Sequence, residues 1–208
     1  MAREISQEKV WDAIAEQWYH FRHQQFKDVA KEIEKLAKLK KGKILEIGCG
    51  NCRNLKTFAL RGFDCYGIDF SKEILKYAKE YCKKYGFKVK LKKARAEKLP
   101  FKRNLFDYIL FIATLHHLKP QAQEKAVKEM YRVLKPKGIA LVAVWNKKVS
   151  KAQEKYISWR VKGKNYWRYY YLFTMPELKK LFEKQGFKIL RQRIGKNLII
   201  VVKSLKQK

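Results

Sequence analysis

Acidic side chains are scarce in this chain: 19 Asp and Glu stand against 50 Lys and Arg over 208 residues, a formal net charge of +31. The excess is uneven, with eight basic and seven acidic residues in 1–40, twenty-four and nine in 41–146, and eighteen and three in 147–208. A surface laced with balanced ion pairs is thereby excluded, and polyanions become the natural partners. Lysine enrichment of the hyperthermophile kind is the compositional alternative, but its ion-pair networks need more acid than this chain has. Long apolar runs are also absent. None approaches the ~20 residues of a membrane span, and Met1-Ala2-Arg3-Glu4 leads into a polar helix rather than a signal peptide, so a soluble, cytoplasmic protein is expected. Cysteine is sparse, at Cys49, Cys52, Cys65 and Cys82. The lone C-x-x-C sits inside a glycine turn with no second pair after it, which argues against a zinc ribbon or any other metal site. Disulfides are not expected in a reducing cytosol.

What is present starts with the run ILEIGCGNCRNL at 44–55. Ile44, Leu45 and Ile47 read as a buried parallel strand, and Gly48 and Gly50 punctuate it before a helical pattern. Glycines there let the backbone turn tightly and approach a ligand that a Cβ would block. A second strand, Cys65–Ile68, should lie beside the first and deliver Asp69 to the same crevice, where a carboxylate can accept both ribose hydroxyls. A dinucleotide site expects G-x-G-x-x-G, whereas this loop continues Asn51-Cys52-Arg53 with no third glycine. Glu46, two residues ahead of Gly48, instead suits a nucleoside with a positive amino-acid end, which is S-adenosylmethionine. The E-x-G-x-G pattern resembles motif I of class I methyltransferases, and Gly67-Ile68-Asp69-Phe70-Ser71 resembles their motif II. A glycine turn in a flavodoxin-like or dehydrogenase fold is the plainer alternative.

The rest of the chain alternates strand and helix. Helices are expected at Ser6–Trp18, Gln24–Lys40, Asn51–Leu60, Lys72–Lys84, Gln121–Leu134 and Met175–Gln185. Strands are expected at Lys43–Ile47, Asp64–Ile68, Phe87–Leu91, Phe106–Ile112, Gly138–Trp145, Phe187–Ile194 and Leu198–Lys203, the last two forming a hairpin around Gly195-Lys196-Asn197. This pattern resembles the Rossmann-like class I methyltransferase: an α/β fold whose mostly parallel seven-stranded sheet has an antiparallel last strand and helices on both faces. One domain over 1–208 is expected, with N-terminal helices in 1–40 and a substrate-side insertion in 147–172. The resemblance extends to Leu99-Pro100-Phe101 before Asn104-Leu105-Phe106-Asp107. It implies a cofactor site of Trp18, Glu46, Gly48, Cys49, Gly50, Asn51, Asp69, Phe70, Arg95, Ala96 and Ile112. Arg95 stands where many members place an acid against the adenine amino group; a guanidinium stacked on the purine is one replacement. The Ala96 backbone contact needs no particular side chain.

Three further segments resemble the tRNA wobble-uridine carboxymethyl methyltransferases: Val10-Trp11-Asp12-Ala13-Ile14-Ala15-Glu16 with Arg22, Leu134-Lys135-Pro136 through Trp145, and Trp159 to Lys164 followed by Arg168-Tyr169-Tyr170-Tyr171-Leu172-Phe173. Departures are Ser158 for proline, Tyr171 for histidine and Cys52 for glycine. The resemblance implies methyl esterification of 5-carboxymethyluridine in the tRNA anticodon loop, and a small zinc-binding activator protein as partner. Such a carboxylate is already anionic and needs positioning more than a general base. Arg22 and Arg168 are the candidate groups to orient it, with His116 as a third contact; no N/D-P-P-Y or Pro-Cys signature follows the fourth strand. Alternatively, one histidine of the His116-His117 pair packs under the sheet and the other caps the next segment. Trp145, Trp159, Lys164, Tyr169 and Tyr170 are candidate RNA contacts within a stretch of aromatic and basic residues. About half of its eight Trp and Tyr rings are expected to be buried as a lid. Two other functions stay open: a small-molecule methyltransferase, and a non-catalytic RNA-binding protein with a residual cofactor pocket.

Overall fold

The computed structural model describes residues 5–207; the reading of Met1-Ala2-Arg3-Glu4 lies outside the described residues. Five short apolar segments assemble the centre of the sheet: β1 (Lys43–Ile47), β2 (Asp64–Asp69), β4 (Phe106–Ile112), β5 (Leu134–Trp145) and, near the C-terminus, β9 (Asn197–Ser204). The more polar β3 (Lys90–Lys93) and β8 (Phe187–Ile194) form its edges, so the order is β3-β2-β1-β4-β5-β9-β8. β1 pairs in parallel with both β2 and β4, while β9 runs antiparallel to β5 and β8. The expected sheet, with its one reversed strand, is the one observed.

Helices cover both faces. α2 (Lys27–Leu36), α3 (Lys56–Leu60) and α4 (Lys72–Lys84) close one core around Ile33, Phe58, Ala78, Tyr81 and Ile199. α5 (Pro120–Val133) and α6 (Met175–Glu183) close the other around Met130, Leu178, Phe182 and Val202. Burial of such side chains, at roughly 1.5–3 kcal/mol each, is the main drive for both layers. Ser71 caps α4 by accepting from the Ile74 N–H at 3.0 Å, and Thr174 with Glu177 forms a capping box on α6. α3 is shorter than expected, because residues 51–55 remain in turns that keep the loop after β1 open.

α1 (Gln7–Phe21) does not join either layer in full. It packs on α4 and on an antiparallel ribbon, β6 (Gln153–Val161) with β7 (Lys164–Leu172), which forms a separate two-stranded sheet. The ribbon turns at Lys162 and Gly163, whose φ values of 46° and 80° suit a tight hairpin matched to strand twist. Gln7 fastens helix to ribbon: its Nε2 donates to the Trp167 carbonyl at 3.0 Å, and its Oε1 accepts from the Tyr169 N–H at 2.9 Å. Among the described residues, no helix is long and apolar enough to cross a membrane.

Candidate active site

β1, β2 and β4 deliver their carboxyl ends to one cavity of about 390 Å³, roofed by α1. Gly48 and Gly50 form its floor with φ values of 67° and 53°. A Cβ on Gly48 would lie 2.3 Å from Thr114 Oγ1, and one on Gly50 would lie 2.7 Å from the Trp18 ring. Both positions therefore require glycine on two counts, backbone region and space. Cys52 also takes a positive φ, 65°, at the site where glycine is usual in the resembling family.

Glu46 and Asp69 line the cavity beside that floor. Glu46 is 1% exposed; Asn54 Nδ2 donates to its Oε1 at 2.6 Å, and its Oε2 has no partner. Burial pushes its pKa up to about 8, opposed by Asn54 and by Arg53. Asp69 accepts from the Gly50 N–H at 3.2 Å and the Ser71 N–H at 3.0 Å, and burial lifts it to about 6. A carboxylate so held retains acceptor capacity toward a ribose. An orphaned buried carboxylate oxygen over a floor without Cβ atoms fits the ammonium end of S-adenosylmethionine, and Asp69 fits its sugar.

Of the residues expected to bind the cofactor, Trp18, Glu46, Gly48, Cys49 and Gly50 line this cavity, as do Asp69, Phe70, Arg95, Ala96 and Ile112. Asn51 does not: it is fully buried and donates to the Arg22 carbonyl at 2.7 Å, tying the loop to the end of α1. Arg95 pairs with Glu97 at 3.1 Å and both line the cavity, so an acid does stand beside Arg95, from two positions downstream. Arg53, Asn54, Trp11, Thr114 and His117 line the cavity as well, beyond the residues chosen from sequence. Nothing in a single arginine or asparagine after a glycine loop marks it out; its burial against α1 does.

The expected acceptor residues lie beside the cavity and not on its wall. Arg168 on β7 is 5% exposed, with its guanidinium 4.7 Å from the Trp159 ring and 5.4 Å from Tyr170, and its Nε has no partner. Burial and the nearby Arg22 lower its pKa. Tyr170 stacks on His116 at 5.4 Å and on Trp145 at 4.9 Å, continuing the column of rings. His116 is 1% exposed; its Nδ1 accepts from the Trp145 N–H at 3.2 Å, which puts its proton on the unpartnered Nε2. Burial, His117 and Arg168 hold it neutral. His117 reaches the cavity instead, with Nδ1 at 2.9 Å from the Tyr169 carbonyl and a pKa pushed down to about 4 by burial. Tyr169 lines the cavity, Trp159 donates to Gln17, and Lys164 lies exposed at the ribbon tip, 5.5 Å from the Tyr166 ring. Of the eight Trp and Tyr rings in this stretch only Tyr169 and Tyr170 are fully buried, fewer than the half expected, because most of the ribbon projects from the sheet.

Known proteins match this architecture. Residues 44–138 match the family model described as a methyltransferase domain. A protein named as a methyltransferase in Encephalitozoon cuniculi is 32% identical over 171 residues, covering 71% of this chain and 70% of that one. The tRNA (carboxymethyluridine(34)-5-O)-methyltransferase of Arabidopsis thaliana is 35% identical over 141 residues, 66% of this chain but only 32% of the plant protein, so the chain spans about a third of that relative. Among solved structures, the Burkholderia thailandensis 1,6-didemethyltoxoflavin-N1-methyltransferase with bound S-adenosylhomocysteine superposes with a TM-score of 0.73 at 16% identity, covering 99% of this chain and 93% of that one. A Haloferax volcanii methyltransferase in complex with the Trm112 methyltransferase activator also gives 0.73, at 15% identity, covering 98% and 99%.

Proposed function

The chain belongs to the class I S-adenosylmethionine-dependent methyltransferases, and from that premise we propose that it methylates the carboxylate of a carboxymethylated wobble uridine in tRNA. The observation that carries this proposal is the pair Arg22 and Arg168. Neither lines the donor cavity, but the Arg22 carbonyl accepts from Arg53, a lining residue, Arg168 precedes the lining residue Tyr169, and the two arginines are near enough for their charges to repel. Among the described residues neither forms an ion pair, which leaves a place for an anionic acceptor. The similarity to the plant enzyme supports the choice of anion.

Bound in the cavity, S-adenosylmethionine supplies an electrophilic methyl group that a carboxylate oxygen can take, giving an ester and S-adenosylhomocysteine. Glu46 and Asp69 hold its ammonium and ribose, Phe70, Arg95 and Ala96 its adenine end, and Ile112 the floor. Arg168, kept rigid between Trp159 and Tyr170, orients the acceptor carboxylate together with Arg22. Its burial strengthens that contact, yet too tight a pair would stabilise the ground state equally, so the arginines orient more than they neutralise. His116 can donate from Nε2. Because it is neutral and the acceptor already ionised, no base is required. The ribbon offers Trp159, Lys164 and the exposed Trp167, and the end of β5 offers Trp145, to unpaired bases and phosphates of the anticodon loop; Tyr169 and Tyr170, being buried, support it from beneath.

A small zinc-binding activator remains a proposed partner, supported by the complex of the Haloferax neighbour. Co-expression with such a protein is expected to raise solubility and activity; unchanged behaviour would remove it. Mass spectrometry of tRNA nucleosides after incubation with methyl-labelled cofactor tests the reaction. Label in a base-labile ester on the wobble uridine is expected, and label on a base carbon or a ribose overturns the proposal. A small organic acid would suit the same arginines, but its methylation would be insensitive to tRNA competitor.

A further inference from the structure

Arg53 is a buried cation facing the donor cavity to which the mechanism above gives no task. It is 7% exposed and clamped between the rings of Trp18, at 5.5 Å, and Phe26, at 5.4 Å. Its Nη1 donates to the Arg22 carbonyl at 3.3 Å, while its Nε has no partner and, among the described residues, it forms no ion pair. On the same wall, Asn54 occupies one oxygen of Glu46 and leaves the other bare. A buried donor and a buried acceptor left open beside one cavity are costly unless a ligand satisfies them. The two attract one another without forming an ion pair, and each is held mainly by its own neighbours, Arg53 by two aromatic rings and Glu46 by its strand and Asn54. A ligand bearing an ammonium and a carboxylate on one carbon satisfies both at once.

We propose that Arg53 holds the α-carboxylate of the methyl donor while Glu46 takes its ammonium, so that the cavity reads an intact α-amino-acid end. This rests on the donor site described above. Two parallel N–H groups of a guanidinium suit a carboxylate, and the rings that clamp Arg53 fix its fork in advance. Arg22 and Arg168 are thereby left to the acceptor, and the two anions are read by separate side chains.

Binding is measured with three ligands: S-adenosylhomocysteine, its decarboxylated analogue 5′-(3-aminopropylthio)adenosine, and 5′-methylthioadenosine, which lacks the amino-acid end. The native protein is expected to prefer the first over the second by roughly tenfold or more. Arg53→Gln is expected to abolish that preference while binding 5′-methylthioadenosine within about twofold of the native protein. A preference that survives the substitution overturns the assignment. So does an equal loss for all three ligands, which marks Arg53 as a brace. Should Arg53→Gln fail to fold, Arg53→Lys is judged by the same preference, which must narrow. A native protein that binds none of the three removes the donor site itself, a failure distinct from that of Arg53.

Discussion

In its proposed role, Glu46 would couple cofactor binding to protons. Its folded pKa of about 8 lies above the ordinary 4.5, so its contribution to the stability of the free protein is full below about 4.5 and is lost as pH rises through about 8. At pH 7 the free side chain is mostly protonated, yet an ammonium is best held by the carboxylate. Cofactor binding should therefore release a proton near pH 7, seen as a calorimetric heat that varies with the buffer's ionisation enthalpy; a heat independent of buffer would contradict the assignment. Glu46→Gln keeps the acceptor for Asn54 and removes the buried charge. It should stabilise the free protein at pH 9, by on the order of a few kcal/mol, while weakening cofactor binding at least about tenfold. Gly48→Ala should cost about 1–3 kcal/mol in thermal unfolding, since it strains a positive φ and collides with Thr114. Glu46, the two glycines and Asp69 were legible because such residues have few other reasons to share that spacing. His117 was not: in a pair of adjacent histidines, only the fold decides which one faces the cavity.

The ribbon and α1 depend on each other. A two-stranded sheet has little independent stability, and β6–β7 is braced by α1 and by the turn carrying His116 and His117. Gln7→Ala leaves the part-buried Tyr169 N–H without its partner, at a cost of about 1–2 kcal/mol, while the exposed Trp167 carbonyl turns to water. Hydrogen exchange in residues 164–172 should quicken while the central sheet stays protected; unchanged protection of β7 would show that Gln7 is not the fastener. The inner sheet strands were legible from their apolar runs; β3, expected over Phe87–Leu91, lies at Lys90–Lys93 because pairing with β2 and not apolar burial fixes that edge, and the hairpin was visible only as an insertion. On β6, Ile157, Trp159 and Val161 alternate with exposed Ser158 and Arg160, but on β7 three successive residues, Arg168, Tyr169 and Tyr170, are buried, so period two fails there. α2 was expected over Gln24–Lys40 and spans Lys27–Leu36, because lysines beyond the last buried turn add nothing that holds a helix in place.

Over the whole molecule, the charge of +31 sets what the proposed RNA binding should look like. Affinity for an unmodified anticodon stem-loop should fall linearly in log–log terms with salt, with a slope of about −0.7 to −0.9 per phosphate contacted. Replacing Lys155, Arg160, Lys162 and Lys164 by Gln should flatten that slope, by about one for each residue that meets a phosphate, without altering binding of S-adenosylhomocysteine. A slope near zero in the native protein would favour the small-acid acceptor. Composition revealed the charge but not its placement, which depends on how the ribbon leaves the sheet. The position of β9 bears on time as well as on space. It is the last strand of the sheet in chain order, yet it lies inside the sheet between β5 and β8. On the ribosome, β1 to β5 emerge with one side of β5 unpaired, and that edge stays open to misassociation until synthesis has passed Ser204.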